Sequence, residues 1–371
     1  MSQLQVNRIN DASGGVLAPI SSVMRNRIIN GAMVIDQRNA GASYSQINGA
    51  YSLDRWAGNS FDGTVTTGKF TVQQNAGSVT TPSGFNNYLG VTSSAATSIS
   101  SSAIYTVFQW IEGYNAADLD WGTANAKTVT LSFWVRSSLT GTFGGALQNS
   151  ATDRSYPFSY TISSANTWEQ KTITVAGDTS GTWLKTNGAS IAVRFGLGVG
   201  STYSGTAGSW AGANYYSATG ATSVVGTNGA TFYITGVQLE VGTQATSFEY
   251  RQYGTELALC ERYFAKFSGT TSVSLYTNFA VGFGTSSTLV AGQLWLPVDM
   301  RALPTLTYSG SLRCADESTN PAISNLILNT QNTSTKSVQL LATSTGITQF
   351  RPYFIGGSNS ATANVSFSAE L

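Results

Sequence analysis

Apolar residues recur at every second position through most of this chain, in short runs closed by Gly, Ser, Thr or Asn. A period of two is that of a strand with one buried face. In "KTVTLSFWVRS" the phase puts Val129, Leu131, Phe133 and Val135 on one face and Thr128, Thr130, Ser132 and Arg136 on the other, with Trp134 out of place among the polar positions. "SIAVRFGLGVG" alternates through Ile191, Val193, Phe195, Leu197 and Val199, and "GKFTVQQ" and "KTITVAG" repeat the pattern with Phe70/Val72 and Ile173/Val175. In "ATFYITGVQLEVG" the phase switches: Phe232 and Ile234 share one face before Gly236, Val237, Leu239 and Val241 the other face after it, which predicts a β-bulge there. Many short strands, alternating on one face and joined by turns, predict an all-β fold of antiparallel sheets packed face to face, a jelly-roll-like β-sandwich over 25–252.

One segment breaks the period. "GTELALCERYFAKF" sets Leu257, Cys260, Phe264 and Phe267 at helical spacing, with Glu256 in the first turn, Lys266 near the end and Thr255 as N-cap. A short connector helix is therefore expected over 253–268. Strand patterns return in "VSLYTNFAVGF", "LVAGQLWLPVDM", "LPTLTYS", "KSVQLLATS" and "ANVSFSAEL", predicting a second, smaller β-sandwich domain over 269–371. At the other end, 1–24 reads as an extended arm with weak alternation at Leu4, Val6 and Ile9; fully stretched it would reach up to roughly 80 Å, enough to dock on a neighbour. A frayed terminus is the other reading of the same residues.

Composition sharpens the picture. Only 10% of the 371 residues are charged, and 19 basic against 18 acidic side chains leave a net charge of +1. No electrostatic footprint for nucleic acid or an anionic membrane follows, and no apolar run reaches the roughly 18 residues that a membrane span needs. The N-terminus lacks a basic segment followed by an apolar stretch, so no secretory signal is expected. A surface built from Ser, Thr, Asn, Gln and Gly suits a protein that works outside the cell, and release by lysis after assembly in a cytoplasm would take it there. Cys260 and Cys314 are the only cysteines and read as buried thiols, and histidine is absent, which removes the commonest general base and metal ligand.

"NRIINGAMVIDQRN", "YSLDRWAG", "TWEQKTITVAGD", "GATFYITGVQLEVGTQATSFEYRQYGTELALCERYFAKF" and "PVDMRALPTLTYS" resemble a widespread group of bacteriophage and prophage proteins described as tail-fibre or other virion-appendage proteins. The likeness runs from about Arg25 to beyond Tyr308 and is most specific from Gly236 to Phe267. The region through Tyr250 is also similar to jelly-roll carbohydrate-binding modules, on the short motifs "DRWAG" and "TWEQKTITV", and "LQVNRINDASGG" is similar to the opening segments of phage structural proteins. The resemblance implies a structural virion protein, assembled in the host cytoplasm as a homotrimer. It would be anchored to other virion proteins by its N-terminal arm and turn its β domains to a host cell-surface glycan. A purely structural virion adaptor, capsid fibre or decoration protein without glycan binding is the alternative.

Sugar binding needs aromatic faces for stacking and polar side chains for hydroxyls. "YTVFQWIEGYNAADLDWG" supplies Trp110, Tyr114 and Trp121, "STYSGTAGSWAGANYYSATG" supplies Tyr203, Trp210, Tyr215 and Tyr216, and Trp134 beside Arg136 is a further candidate. For each of the eight, burial in the core or between subunits is the competing reading, because aromatics dominate sandwich cores and oligomer interfaces. Trp56 and Trp168 are assigned to packing. A glycan-cleaving depolymerase needs two carboxylates about 5–9 Å apart; Glu112, Asp118 and Asp120 form the densest acidic cluster. No catalytic residue is assigned, because a cluster of that size arises by chance. No cofactor or metal is assigned either: a structural calcium, common in related carbohydrate-binding modules, finds no Asp-rich loop of standard spacing here. "GLGVGS" at 196–201 ends a strand without opening a helix, so it is no dinucleotide fingerprint.

Overall fold

The computed structural model describes residues 24–64, 67–269, 275–316 and 318–371, together with the backbone pairing of Ile9–Asn10 and Val16–Leu17. The anchoring arm expected over 1–24 otherwise lies outside the described residues. The alternating segments form strands, and the chain separates into two units, Met1–Tyr253 and Gly254–Leu371.

The first unit holds two six-stranded sheets. One orders Ser155–Ile162, Gly141–Asn149, Ala189–Val199, Ala103–Glu112, Trp56–Asp62 and Tyr51–Leu53; the other orders Glu169–Val175, Val129–Ser137, Thr231–Val241, Leu89–Ser93, Thr67–Gln74 and Tyr44–Ile47. They are called here the 103–112 sheet and the 129–137 sheet. Every pairing within them is antiparallel. The core lies between them, where Val129, Leu131, Phe133 and Val135 meet Ile191, Val193, Phe195 and Leu197, as the alternation predicts. Phe133 and Phe195 cross edge to face with centroids 5.0 Å apart. The bulge falls where the phase switch places it: the register of Thr231–Val241 against Val129–Ser137 slips between Thr235 and Gln238, and Gly236 has φ +60°. This all-β jelly-roll-like sandwich carries both faces of the period-two pattern.

Residues 25–31 close this sandwich by bonding to both sheets. Arg27 N donates to Leu239 O (2.9 Å) and Val237 N to Gly31 O (2.9 Å) on one sheet. On the other, Ile29 N donates to Gln109 Oε1 (2.9 Å) while Gln109 Nε2 returns a bond to Ile29 O (2.8 Å). Asn26 adds three side-chain bonds: its Nδ2 donates to Val237 O and its Oδ1 accepts from Ile28 N and Leu239 N. The "FEYR" corner then grips the same segment, with Glu249 accepting from the backbone of Arg25 and Asn26 and Arg251 donating to the carbonyls of Asn26 and Ile28. "DRWAG" joins in through Trp56 Nε1, which donates to Asn30 O at 3.1 Å. Three of the resembling stretches, at 26–31, at Trp56 and at 237–251, are thus brought together here as a structural clasp.

The second unit packs a six-stranded sheet, ordered Leu312–Ala315, Pro352–Gly357, Asn278–Ser286, Leu289–Trp295, Ser337–Ser344 and Ile323–Leu328, against a three-stranded sheet of Phe264–Ser268, Asn364–Ser368 and Thr305–Ser309. Val290, Leu294, Val338, Leu340 and Ile355 meet Val365 and Phe367 in its core. The helix is shorter than its spacing predicts: it runs Tyr253–Glu261, so Thr255 lies inside it rather than capping it, and Phe264–Ser268 is a strand. The cause is tertiary. Phe264–Ser268 pairs with Asn364–Ser368, and the Arg262 and Tyr263 carbonyls leave the helical ladder to accept from Arg301 N and Ala369 N. An aromatic-rich segment with a waiting strand edge goes extended. Cys260 and Cys314 are free and buried, and burial pushes the Cys314 thiol up to about 12. Burial of both side chains keeps reagents in solution from them, and the raised pKa of Cys314 disfavours its reactive thiolate. Neither cysteine is therefore expected to react with Ellman's reagent in the folded protein, and both should react once it is unfolded in guanidinium.

Candidate functional site

The strands of the 103–112 sheet have a second face, turned away from the core. On Ala103–Glu112 it carries Thr106, Phe108 and Trp110; on Ala189–Val199 it carries Arg194; on Trp56–Asp62, Asn59; on Gly141–Asn149, Gly144 and Gln148. Pairing aligns Arg194 with Phe108 on one side and with Ala146 on the other, which centres Arg194 on this face.

Residues 203–218 lie over the same face. Cβ atoms at Gly144 and Gly196 would stand 2.4 and 2.6 Å from Ser217 Oγ, so only glycine lets the segment approach the sheet this closely. Asn214 accepts from Gln148 Nε2 at 2.5 Å, Tyr215 N donates to Ser155 Oγ, and Tyr216 N donates to Tyr203 O at 2.8 Å. The Tyr203 and Tyr216 rings meet edge to face, 5.6 Å apart.

These elements enclose Arg194. Its guanidinium carbon is 4.4 Å from the Tyr216 ring centroid, 4.5 Å from that of Phe108 and 5.2 Å from that of Trp110. Nε donates to Gln148 Oε1 (2.9 Å) and Nη1 to Asn59 Oδ1 (3.1 Å), and Asn59 is in turn held by Thr106. Only 3% of Arg194 remains exposed, and burial pulls its guanidinium down to about 10. The rings of Trp110 and Tyr216 stay half-buried.

Of the eight aromatic candidates, the fold brings Trp110, Tyr203, Tyr215 and Tyr216 together. Trp121 sits in the core at 3% exposure, packed edge to face with Trp183 and Trp210, its Nε1 donating to Lys127 O, and so has no free face for a sugar. Trp210, half-buried, is tied to Ala176 O and meets Tyr156 edge to face. Tyr114 stands alone and exposed on the short turn Gly113–Asn115. Trp134 belongs to the opposite sheet, beside Gly236. Sequence reasoning passes over Arg194 and Phe108. The available signal is a single charge in the outward phase of "SIAVRFGLGVG".

The acidic cluster is dispersed into separate ties: Asp118 pairs with Arg27 at 2.7 Å, Asp120 with Lys185 at 3.2 Å, and Glu112 is buried. Among the described residues no group of three Cys, Asp or Glu side chains is placed to hold a metal ion, and no helix is long and apolar enough to cross a membrane.

No protein-family model matches the chain, and no curated protein matches it. Among solved structures it is similar to the enzymatically active domain of bacteriophage CBA120 tailspike protein 4, at 12% identity and TM-score 0.31, over 59% of this chain but only 22% of that one. The family 11 carbohydrate-binding module of Clostridium thermocellum, in complex with a β-1,3-1,4-mixed-linked tetrasaccharide, aligns at 10% identity and TM-score 0.27, over 54% of this chain and 98% of that one. The N-terminal cellulose-binding domain of Cellulomonas fimi β-1,4-glucanase C gives 16% identity and TM-score 0.27, over 51% and 90%. Likenesses this remote carry no argument about a ligand.

Proposed function

We propose that this chain is a non-enzymatic phage virion-appendage protein whose first sandwich binds a host-surface saccharide on the outer face of the 103–112 sheet. The observation that carries the reading is the grouping there of the half-buried rings of Trp110 and Tyr216 with the half-buried amides of Asn59 and Asn214, which the buried Gln148–Arg194 pair holds in place. Rings offer apolar faces to sugar C–H groups, and neighbouring amides offer donors and acceptors for hydroxyls. Attachment of the particle through residues 1–24, assembly in the host cytoplasm and a homotrimeric state complete the proposal.

The test is binding of the purified full chain to a broad bacterial glycan array, beside single Trp110→Ala and Tyr216→Ala variants and a Trp134→Ala control on the opposite sheet. Each of the first two is expected to weaken binding about 30-fold, as central aromatic anchors do; the control should bind as the parent does. Loss confined to Trp134→Ala would move the site to the other sheet. A folded parent that binds nothing on the array would favour the adaptor or decoration reading. That second reading has its own support in the exposed apolar side chains Val281, Phe283 and Phe354 on the second unit, which another virion protein could cover.

A further inference from the structure

We infer that Arg194 makes this face a receptor for an anionic saccharide, one carrying a carboxylate or phosphate, rather than for a neutral one; the inference rests on the saccharide-binding reading above. Among the described residues Arg194 has no carboxylate partner. Its two hydrogen bonds go to the neutral amide oxygens of Gln148 and Asn59. An arginine offers five N–H donors, so three are left, including both on Nη2. A buried cation held only by amides and ring faces is incompletely compensated, because such groups return less than a full counter-charge. Were packing its whole task, an uncharged side chain could make the same ring contacts with no charge to desolvate.

The surroundings fit a ligand that brings the missing charge. Trp110 and Tyr216 flank the guanidinium and remain partly open, so the inferred site has the saccharide against these rings and its anionic substituent on the unused N–H groups. Carboxylates and phosphates match a guanidinium fork, and such charge-assisted bonds are about twice as strong as neutral ones. A hydroxyl in the same place would leave the charge as it is.

The experiment is calorimetric and tryptophan-fluorescence titration of the full chain with oligogalacturonate, oligosialate and a mannose-6-phosphate-bearing oligosaccharide. Alongside them run the methyl ester of the oligogalacturonate, a neutral oligogalactoside, and acetate and inorganic phosphate alone. At least one anionic saccharide is expected to bind about 10- to 100-fold more tightly than its neutral counterpart. The carboxylate and phosphate arms identify which anion is preferred. Arg194→Gln should erase that preference, and Arg194→Lys should keep part of it. Should Arg194→Gln fail to fold, the ester comparison on the parent chain stands by itself. Neutral and anionic sugars binding alike, with Trp110→Ala abolishing both, would overturn the anionic preference and leave the saccharide reading in place. Acetate or phosphate binding as tightly as any sugar would overturn the saccharide part. No binding in any arm would overturn both.

Discussion

Gly31→Ala is expected to destabilise the first unit by about 3 kcal/mol, lowering its melting temperature by roughly 6–12 °C. A Cβ at this position would lie 2.2 Å from Val237 O and 3.3 Å from Val237 C, well inside contact distance. Neither backbone can retreat. Val237 N donates to Gly31 O at 2.9 Å, and Val237 O also accepts from Asn26 Nδ2 at 3.1 Å. Moving 26–31 away would break those bonds together with the Ile29–Gln109 pair, which ties the same segment to the other sheet. A methyl group here would strain the clasp between the two sheets. Gly254→Ala is the matched control: it lies in the helix Tyr253–Glu261 with open space where the methyl would stand, and alanine there should be neutral or stabilising by up to about 1 kcal/mol. Calorimetric unfolding of both variants beside the parent checks the pair. An unchanged melting temperature for Gly31→Ala would mean that the two backbones do not meet as described.

The two sandwich layers were legible because strand phase is a local property. Nothing beyond the alternation at 129–135 and 191–197 was needed to put those residues in the core, and the bulge at Gly236 followed from one switch of phase. The end of the helix was not legible: in "CERYFAKF", Phe264 and Phe267 fit a helical stripe, and only pairing with Asn364–Ser368, a hundred residues later, decides for a strand. The site was half visible for the same reason. Trp110 and Tyr216 announce themselves as aromatics beside polar residues, and so does Trp121, yet one pair faces outward and the other ring is core. That difference rests on where the turns after each strand lead. Arg194 acquires its setting from Asn59, Phe108, Gln148 and Tyr216, four separate stretches that only the sheet order assembles.

The second large effect concerns assembly. The chain is expected to self-associate through the outward face of the six-stranded sheet in its second unit, and Phe283→Asp with Trp295→Asp should return it to monomer without loss of fold. Strand register places Phe354, Val281, Gln293 and Gln339 in one row across this face and Pro352, Phe283, Ala291, Leu341 and Ile327 in the next, with Trp295 beyond Gln293 on the same strand. Phe283 is 51% exposed, Trp295 73% and Phe354 48%, while the alternate residues Val290, Leu294 and Ile355 fill the core behind them. Monomers rarely expose a contiguous apolar strip of this kind. A second copy is the partner we propose for it: the exposed positions named above hold no charged side chain, and Arg313, in the same phase, is buried and tied to Gly357 O and Asn320, so identical faces would meet without like-charge repulsion. Burying a large apolar side chain contributes about 1.5–3 kcal/mol, so replacing two of them in each copy should weaken association by several orders of magnitude. Sedimentation equilibrium of the parent and the double variant reads this directly, with circular dichroism melting as the check on fold. A monomeric parent would remove the self-association proposal altogether. An oligomer that survives both aspartates would place the subunit contacts elsewhere and leave this face for another virion protein, the outcome that the adaptor reading requires.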